Sequence, residues 1–304
     1  MTHPVSKPLP VTVNLHTLVP CNYRCGFCHS GFISAKRKTI PKLELHQIIR
    51  QIAQTPQLTG SQPRKVTFAG GEPLLSSSLV EDVQFAHSHG LVTSLVTNGS
   101  LLTEERIYGL APVLDWLTIS IDSLDLETNR RIGRSGYNGP LSEAEYLSKI
   151  QLAKTLGIRV KVNTVVNRLN AHEDFTCFMR KAQPLRWKIL QATRIEEENG
   201  EDFDRWGVSE EEFKMFSARH SSLEESGIVL VPETQDEIYG SYAMVAPNGC
   251  FFDNSKRTHQ YSQPIVSVGI EAAWAEINFS VERFRQRHGE YDFVSGLNIK
   301  KEVC

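Results

Sequence analysis

Three of the six cysteines crowd into the segment CNYRCGFC, as Cys21, Cys25 and Cys28, while Cys177, Cys250 and Cys304 lie far apart. A disulfide framework spreads its cysteines along the chain; a tight group points to metal or redox chemistry. Iron–sulfur clusters are held by thiolates, four for a closed cubane. Three thiolates leave one iron without a protein ligand, and an open position is what a metal needs to bind a reactant. The spacing C-x-x-x-C-x-x-C therefore predicts one 4Fe–4S cluster with one reactive iron. A zinc site completed by His16 or His29, and three incidental thiols, are the alternative readings. Cys250 and Cys304 are too few and too far apart for a second cluster.

Other candidate residues sit where apolar strands end. Segments 11–18, 65–69, 92–97, 116–122, 159–166 and 186–193 read as strands, rich in β-branched residues. Helices are expected between them. Segment 42–55 places Leu45, Ile48, Ile49 and Ile52 on one helical face. Further helices are read at 78–88, after a Thr103 cap, at 142–156 and at 171–182. Such alternation indicates an α/β chain with a parallel sheet, either a partial barrel or an open doubly wound sheet. Glu72, Asn98, Ser120, Asp122, Lys161, Asn163, Lys188 and Gln191 fall within or at the ends of these strands. Parallel α/β folds carry their sites at the carboxyl ends of strands, and polar groups there are costly unless paired. Lys161 and Asn163 are two apart and face one side; Arg186 and Lys188 repeat the arrangement, as do Asn14 and His16.

After Thr193 the rhythm breaks. Glu196, Glu197 and Glu198 begin a polar stretch. A helix is expected at 209–221, and 228–231 with 242–252 read as a small hairpin turning at Pro247-Asn248-Gly249. The expected organisation is a barrel-like unit over 1–195 and an α+β extension over 196–304 that closes it within the same structural unit. The charge balance is 33 basic against 35 acidic residues in 304. That near-neutrality speaks against a nucleic-acid coat protein and stable nucleic-acid binding, which need a basic excess. No apolar run approaches the ~20 residues of a membrane span. The opening MTHPVSKPLP has no hydrophobic core of a signal peptide and no amphipathic helix. A soluble, cytoplasmic protein without a membrane anchor is expected.

The cysteine spacing, with Phe27 before the third thiol, resembles the radical S-adenosylmethionine (SAM) superfamily. Gly70-Gly71-Glu72-Pro73, one βα unit later, looks like its GGE motif. The segments NLHTLVPCNYRCGFC, KVTFAGGEP, LVTNGSL, ISIDS, IGRSG, KVNTVVNR, RWKILQ and SYAMV follow, in order, those of the viperin family of radical SAM nucleotide dehydratases. That resemblance implies a partial (βα)6 TIM-like barrel with a C-terminal α+β extension. It implies SAM held by Gly70, Gly71, Glu72, Thr97, Asn98 and Ser120, on a cluster ligated by Cys21, Cys25 and Cys28. Ala69 and Thr97 stand where animal members have serine. It further implies a ribonucleoside triphosphate substrate, CTP, UTP or GTP. Asn14, His16, Lys65, Arg134, Lys161, Asn163, Arg186 and Lys188 match the family's substrate contacts, and Tyr242 its tyrosine near the reacting sugar. In the implied reaction hydrogen leaves C4′, the 3′-hydroxyl leaves as water, and an electron and a proton complete a 3′-deoxy-3′,4′-didehydro nucleotide. Such a product terminates polymerase chains, an antiviral role. A flavodoxin or ferredoxin is the implied reductant. The chief alternative is a different radical SAM catalyst of nucleotides, such as a GTP cyclase of cofactor biosynthesis, which would carry a second C-terminal cluster where this chain has no second cysteine group; a zinc-stabilised RNA- or partner-binding protein is the non-enzymatic alternative.

Overall fold

The computed structural model describes residues 8–32, 35, 37–58 and 62–296. Six strands, β1 Thr12–His16, β2 Lys65–Ala69, β3 Val92–Thr97, β4 Trp116–Ser120, β5 Arg159–Val166 and β6 Arg186–Gln191, pair in parallel in chain order. Helices α1 Lys42–Gln54, α2 Leu79–Ser88, α3 Glu104–Leu110, α4 Leu126–Ile132, α5 Glu143–Thr155 and α6 Thr176–Ala182 connect them. A doubly wound sheet reverses its order at a switch point. Here the order never reverses, so repeated crossovers of one hand wind the sheet into a partial barrel.

Local chemistry accounts for the helix ends. Thr103 accepts the amide of Arg106 and caps α3 as expected. Ser142 and Glu145 form a capping box at the start of α5. Helix α4 was not legible as periodicity; Asp125 caps it, and Gly133, at φ 86°, ends it in the left-handed region. The expected helix over 171–182 begins only at Thr176. Before it, the Asn170 amide holds the carbonyls of Asp122 and Val165, binding that segment into a turn.

One expectation for the extension is corrected. Residues 228–231 do not pair in a hairpin. Strand β7, Val229–Glu233, adds in parallel to β6, whereas β8, Ala243–Val245, adds in parallel to β1 at the other side. A hairpin needs a tight turn; here the capped helical turn Gln235–Ile238 carries the chain from one side to the other. The turn at Pro247–Gly249 does join β8 to β9, Cys250–Asp253, which pairs antiparallel, and β10, Gln260–Pro264, follows. The ten strands form one sheet, β10-β9-β8-β1-β2-β3-β4-β5-β6-β7.

The main apolar core lies between helices and sheet, with Ile48, Ile49, Phe68, Leu95, Val162 and Trp187 fully buried. On β5 burial alternates strictly: Val160, Val162 and Thr164 are buried, while Lys161, Asn163 and Val165 turn to a cavity on the inner side. No helix among the described residues is long and apolar enough to cross a membrane.

Candidate active site

The loop bearing Cys21, Cys25 and Cys28 leaves β1 and is gripped from several sides. Gly71 donates to the Leu18 carbonyl at 2.8 Å and Glu72 to that of Pro20 at 2.9 Å. A Cβ on Gly71 would lie 2.0 Å from the Pro20 oxygen, so no side chain fits there. The two glycines thus let β2 run against the backbone leading into the loop. Arg24 and Gly26 donate to the carbonyls of Gly133 and Ile132, both at 2.9 Å, which accounts for the IGRSG segment. Asn22 exchanges hydrogen bonds with Asn98 and Ser100. Asn199 donates to the Phe27 carbonyl, and the Trp206 ring lies against Gly26.

Glu72 works from behind this surface. Its carboxylate is 0% exposed and accepts from Leu74 N, Thr97 Oγ1 at 2.7 Å and Asn98 N at 2.8 Å. Burial pushes the carboxyl up, and these donors oppose the shift. Thr97 Oγ1 also accepts from Gly99 N, so its hydroxyl is engaged within the turn after β3. Asn98 points its amide towards Cys21 Sγ, 4.0 Å away. Arg134 pairs with Asp122 at 2.6 Å, donates to the Ser120 carbonyl at 2.6 Å and reaches Cys25 Sγ at 3.8 Å. Burial pushes the Cys25 thiol up to about 12 and the Cys28 thiol up to about 11.

A cavity of about 240 Å³ runs inside the barrel from this loop to the amino ends of the strands. Asn14, His16, Phe27, His29 and Ala69 line its upper part. Burial, and then the field of His29, push the His16 imidazole down to about 3, so it is neutral at physiological pH. Its walls further down carry Lys65, Lys161, Arg186, Lys188 and Arg287, five cations, and no carboxylate among the described residues. Lys65 is 3% exposed and Arg186 2%. Burial, followed by repulsion from neighbouring cations, holds Lys65 and Lys161 well below the ordinary lysine value. Inward alternation along β1, β2, β5 and β6 brings Asn14, His16, Lys65, Lys161, Asn163, Arg186 and Lys188 to this one space. Arg134 is not on its walls; it belongs to the cysteine loop.

The lower end is sealed by the chain's last described residues. The Tyr291 ring covers the Arg186 guanidinium at 4.1 Å and the Lys65 ammonium at 4.4 Å. Lys65 also donates to the Tyr291 hydroxyl, Arg186 donates to the Gly296 carbonyl at 2.6 Å, and Trp116 Nε1 donates to that of Phe293.

At one side the barrel opening is bridged by a buried network. Glu233, 0% exposed, takes Lys188 at 2.6 Å, Arg287 at 3.4 Å and the Tyr242 hydroxyl. Arg287 lies over the Tyr242 ring at 3.6 Å and donates to Ser241. Burial alone would push the Glu233 carboxyl up; Lys188 and Arg287 overcome it and hold it below the ordinary value. Burial depresses Lys188 to about 8, with Glu233 opposing. Sequence reasoning missed Glu233, Arg287 and Tyr291. A signal for Glu233 was present: extending the strand at 228–231 by one alternation puts it on the face of Val231.

Cys21, Cys25 and Cys28 put three thiols on this one loop, the soft donor set that an iron–sulfur cluster takes. The family model of the radical SAM superfamily matches residues 18–176. An S-adenosylmethionine-dependent nucleotide dehydratase of Flammeovirga pacifica is 36% identical over 287 residues, 93% of this chain and 96% of that protein. The chain belongs to the radical SAM superfamily, among its S-adenosylmethionine-dependent nucleotide dehydratases.

Another protein of that name, from Lacinutrix mariniflava, is 40% identical over 299 residues, 96% of this chain. This radical SAM chain spans 61% of that relative's length. Among solved structures, Streptococcus suis SuiB bound to S-adenosylmethionine superposes with a TM-score of 0.68 at 13% identity, over 92% of this chain and 68% of that one. Membership brings a 4Fe–4S cluster and SAM, and the partial barrel is the superfamily's fold. Cys21, Cys25 and Cys28 are the residues fit to hold the cluster.

Proposed function

We propose that this radical SAM enzyme removes water from a ribonucleoside triphosphate. The carrying observation is the cavity wall: five basic side chains, partly dry, for which the Glu233 carboxylate beside Lys188 and Arg287 is the one paired counter-charge among the described residues. A triphosphate brings about four negative charges and is best met by several lysines and arginine forks. Bound SAM, cleaved with an electron from the cluster, supplies a 5′-deoxyadenosyl radical for hydrogen abstraction. The protein orients and encloses the reactants.

Lys65, Lys161, Arg186 and Lys188 hold the phosphates in this reading. Asn14, His16 and Asn163, higher in the cavity, hold the ribose beneath the thiol loop, with the Tyr242 phenol at its side. Gly70, Gly71, Asn98 and Ser120 present the SAM-binding edge, while Glu72 and Thr97 stiffen it from behind. Arg134 is assigned to the cluster loop instead of the triphosphate, because Asp122 and Ser120 hold it beside Cys25. The C4′ hydrogen atom passes to the 5′-deoxyadenosyl radical, the 3′-hydroxyl takes up a proton and leaves as water, and one further electron completes the C3′–C4′ double bond. The product lacks the hydroxyl a polymerase extends and serves antiphage defence in the cytoplasm. A flavodoxin or ferredoxin supplies the electrons.

The test is anaerobic turnover of CTP, UTP, GTP and ATP beside their nucleosides, with products identified by mass. Triphosphates should give a product lighter by one water, and nucleosides almost none. Equal turnover of cytidine and CTP would sink the triphosphate reading.

A further inference from the structure

SAM cleavage needs an electron from outside the chain. A second cavity, about 530 Å³ and open to solvent, lies on the outer side of the cluster loop. Arg131 from the end of α4, Arg168 from the loop after β5 and Arg205 line it, with Asp204 the one carboxylate on its described walls. All three arginines are exposed. Its floor is Trp206, 5% exposed, with Arg205 over the ring at 5.3 Å.

Behind that floor is the cysteine loop itself. The Trp206 ring lies 2.0 Å from where a Cβ on Gly26 would stand and packs edge-on to Phe27 at 6.4 Å between centroids. Gly26 and Phe27 lie between Cys25 and Cys28. Trp206 thus stands between this pocket and the segment that joins Cys25 to Cys28, and arginines from three separate chain segments surround its outer face. The chain as a whole is slightly acidic, at −2. A local excess of positive charge on such a chain gives an approaching anionic protein a preferred face.

We propose that this patch is the docking surface for a small, acidic one-electron carrier protein. The carrier loses one electron and the cluster gains it; no proton or group moves. Electron-transfer encounters use small, wet contacts steered by charge, which a rim of exposed arginines around one aromatic provides. The inference rests on the cluster chemistry of the superfamily and is independent of which nucleotide is dehydrated.

The experiment uses the reconstituted enzyme with SAM and reads 5′-deoxyadenosine. Electrons come in one arm from purified reduced flavodoxin at limiting concentration, in the other from dithionite. The double variant Arg131→Glu with Arg168→Glu should slow the flavodoxin arm about tenfold or more at low salt, within the range of electrostatic steering. The dithionite arm should hold. Charge reversal of Arg50 and Arg180, exposed on α1 and α6, should leave both arms near wild type. Arg131→Lys with Arg168→Lys should keep the flavodoxin rate. The wild-type flavodoxin rate should fall steeply between about 0.05 and about 0.5 M salt. An unchanged flavodoxin arm in the reversed variant overturns the proposal. So does an equal loss on reversing Arg50 and Arg180. Were the reversed variant to lose dithionite activity too, the Arg-to-Lys pair and the salt series decide: a flat salt dependence overturns the docking surface. Failure of triphosphate turnover would leave these readouts untouched.

Discussion

At the upper end of the cavity, Gly71, Asn98 and Gly133 hold the thiol loop through backbone and neutral side-chain hydrogen bonds at ordinary lengths. At the lower end, Lys65, Lys161 and Arg186 share a confined space, with the Tyr291 ring over two of them. The first region is closely fitted: backbone donors and acceptors meet across it and its glycines leave no room for a side chain. The second is unbalanced, since like charges are buried together with Glu233 as the counter-charge at one side. Preorganised shape suits a cofactor that always binds in the same pose. Unmet charge suits a ligand that brings the missing anions.

Breaking the upper region should have the largest effect. Cys25→Ala removes one of three thiolates and should abolish both the cluster's visible absorbance and 5′-deoxyadenosine formation. Gly71→Ala drives a methyl into the Pro20 carbonyl and should come close to the same loss, with about 1–3 kcal/mol of destabilisation at the upper end of that range. Thermal unfolding and iron content check both; undiminished SAM cleavage in Cys25→Ala contradicts the cluster assignment.

Removing the lower region's counter-charge comes next. Glu233→Gln leaves Lys188 and Arg287 buried with no carboxylate, and breaking such a pair costs about 3–5 kcal/mol. The stability deficit should shrink when inorganic tripolyphosphate is added, because anions then replace the carboxylate. If tripolyphosphate raises Tm no more in the variant than in the wild type, the cations are not an anion site.

A smaller effect is expected from single cations. Lys161→Ala should weaken nucleotide binding by about 1.5–3 kcal/mol, roughly 10- to 150-fold. Slow SAM cleavage without nucleotide should persist, since the thiol loop is untouched. Arg186→Ala is a less clean test, because that guanidinium also holds Gly296 and Tyr291. Nucleotide dependence unchanged in Lys161→Ala places the phosphates elsewhere.

The smallest effect is on pH. Lys188 titrates at about 8 instead of the ordinary 10.5. Above pH 8 the empty site loses this charge, so apparent nucleotide affinity should decline, by no more than about tenfold per pH unit. Stability runs the other way. The unfolded chain holds this proton more tightly, so the destabilisation is full below about 8 and is relieved as pH rises towards 10.5. Affinity measured from pH 7 to 9.5 in wild type and Lys188→Arg checks this, the arginine reducing the decline by the share that Lys188 contributes.

The upper region was legible in the sequence because its devices are local. Cys21, Cys25 and Cys28 share one loop, and Gly70, Gly71 and Glu72 one turn. What the spacing did not convey was the division of labour: Glu72 faces inward to β3, and the glycines meet the backbone leading into the cysteine loop. The strand cations were found through alternation, since Lys161 with Asn163 and Arg186 with Lys188 keep period two. Arg287 and Tyr291 carry no such signal; they reach the cavity from the end of the short helix Val281–Gln286 and the irregular backbone that follows it. Strand β7 was misplaced for a related reason, because a run of four residues identifies a strand without naming its neighbour.

The Tyr291 cover has a kinetic meaning. Among the described residues Tyr291 covers Lys65 and Arg186 at the foot of the barrel, so on the proposed function the nucleotide enters past the thiol loop, where SAM must rest. On the proposed function a nucleotide descends phosphates first, and SAM arriving afterwards stands between it and solvent. The order of arrival is then built into the architecture. Nucleotide added before SAM should reach turnover without a lag, and preloaded SAM should impose one set by its own departure.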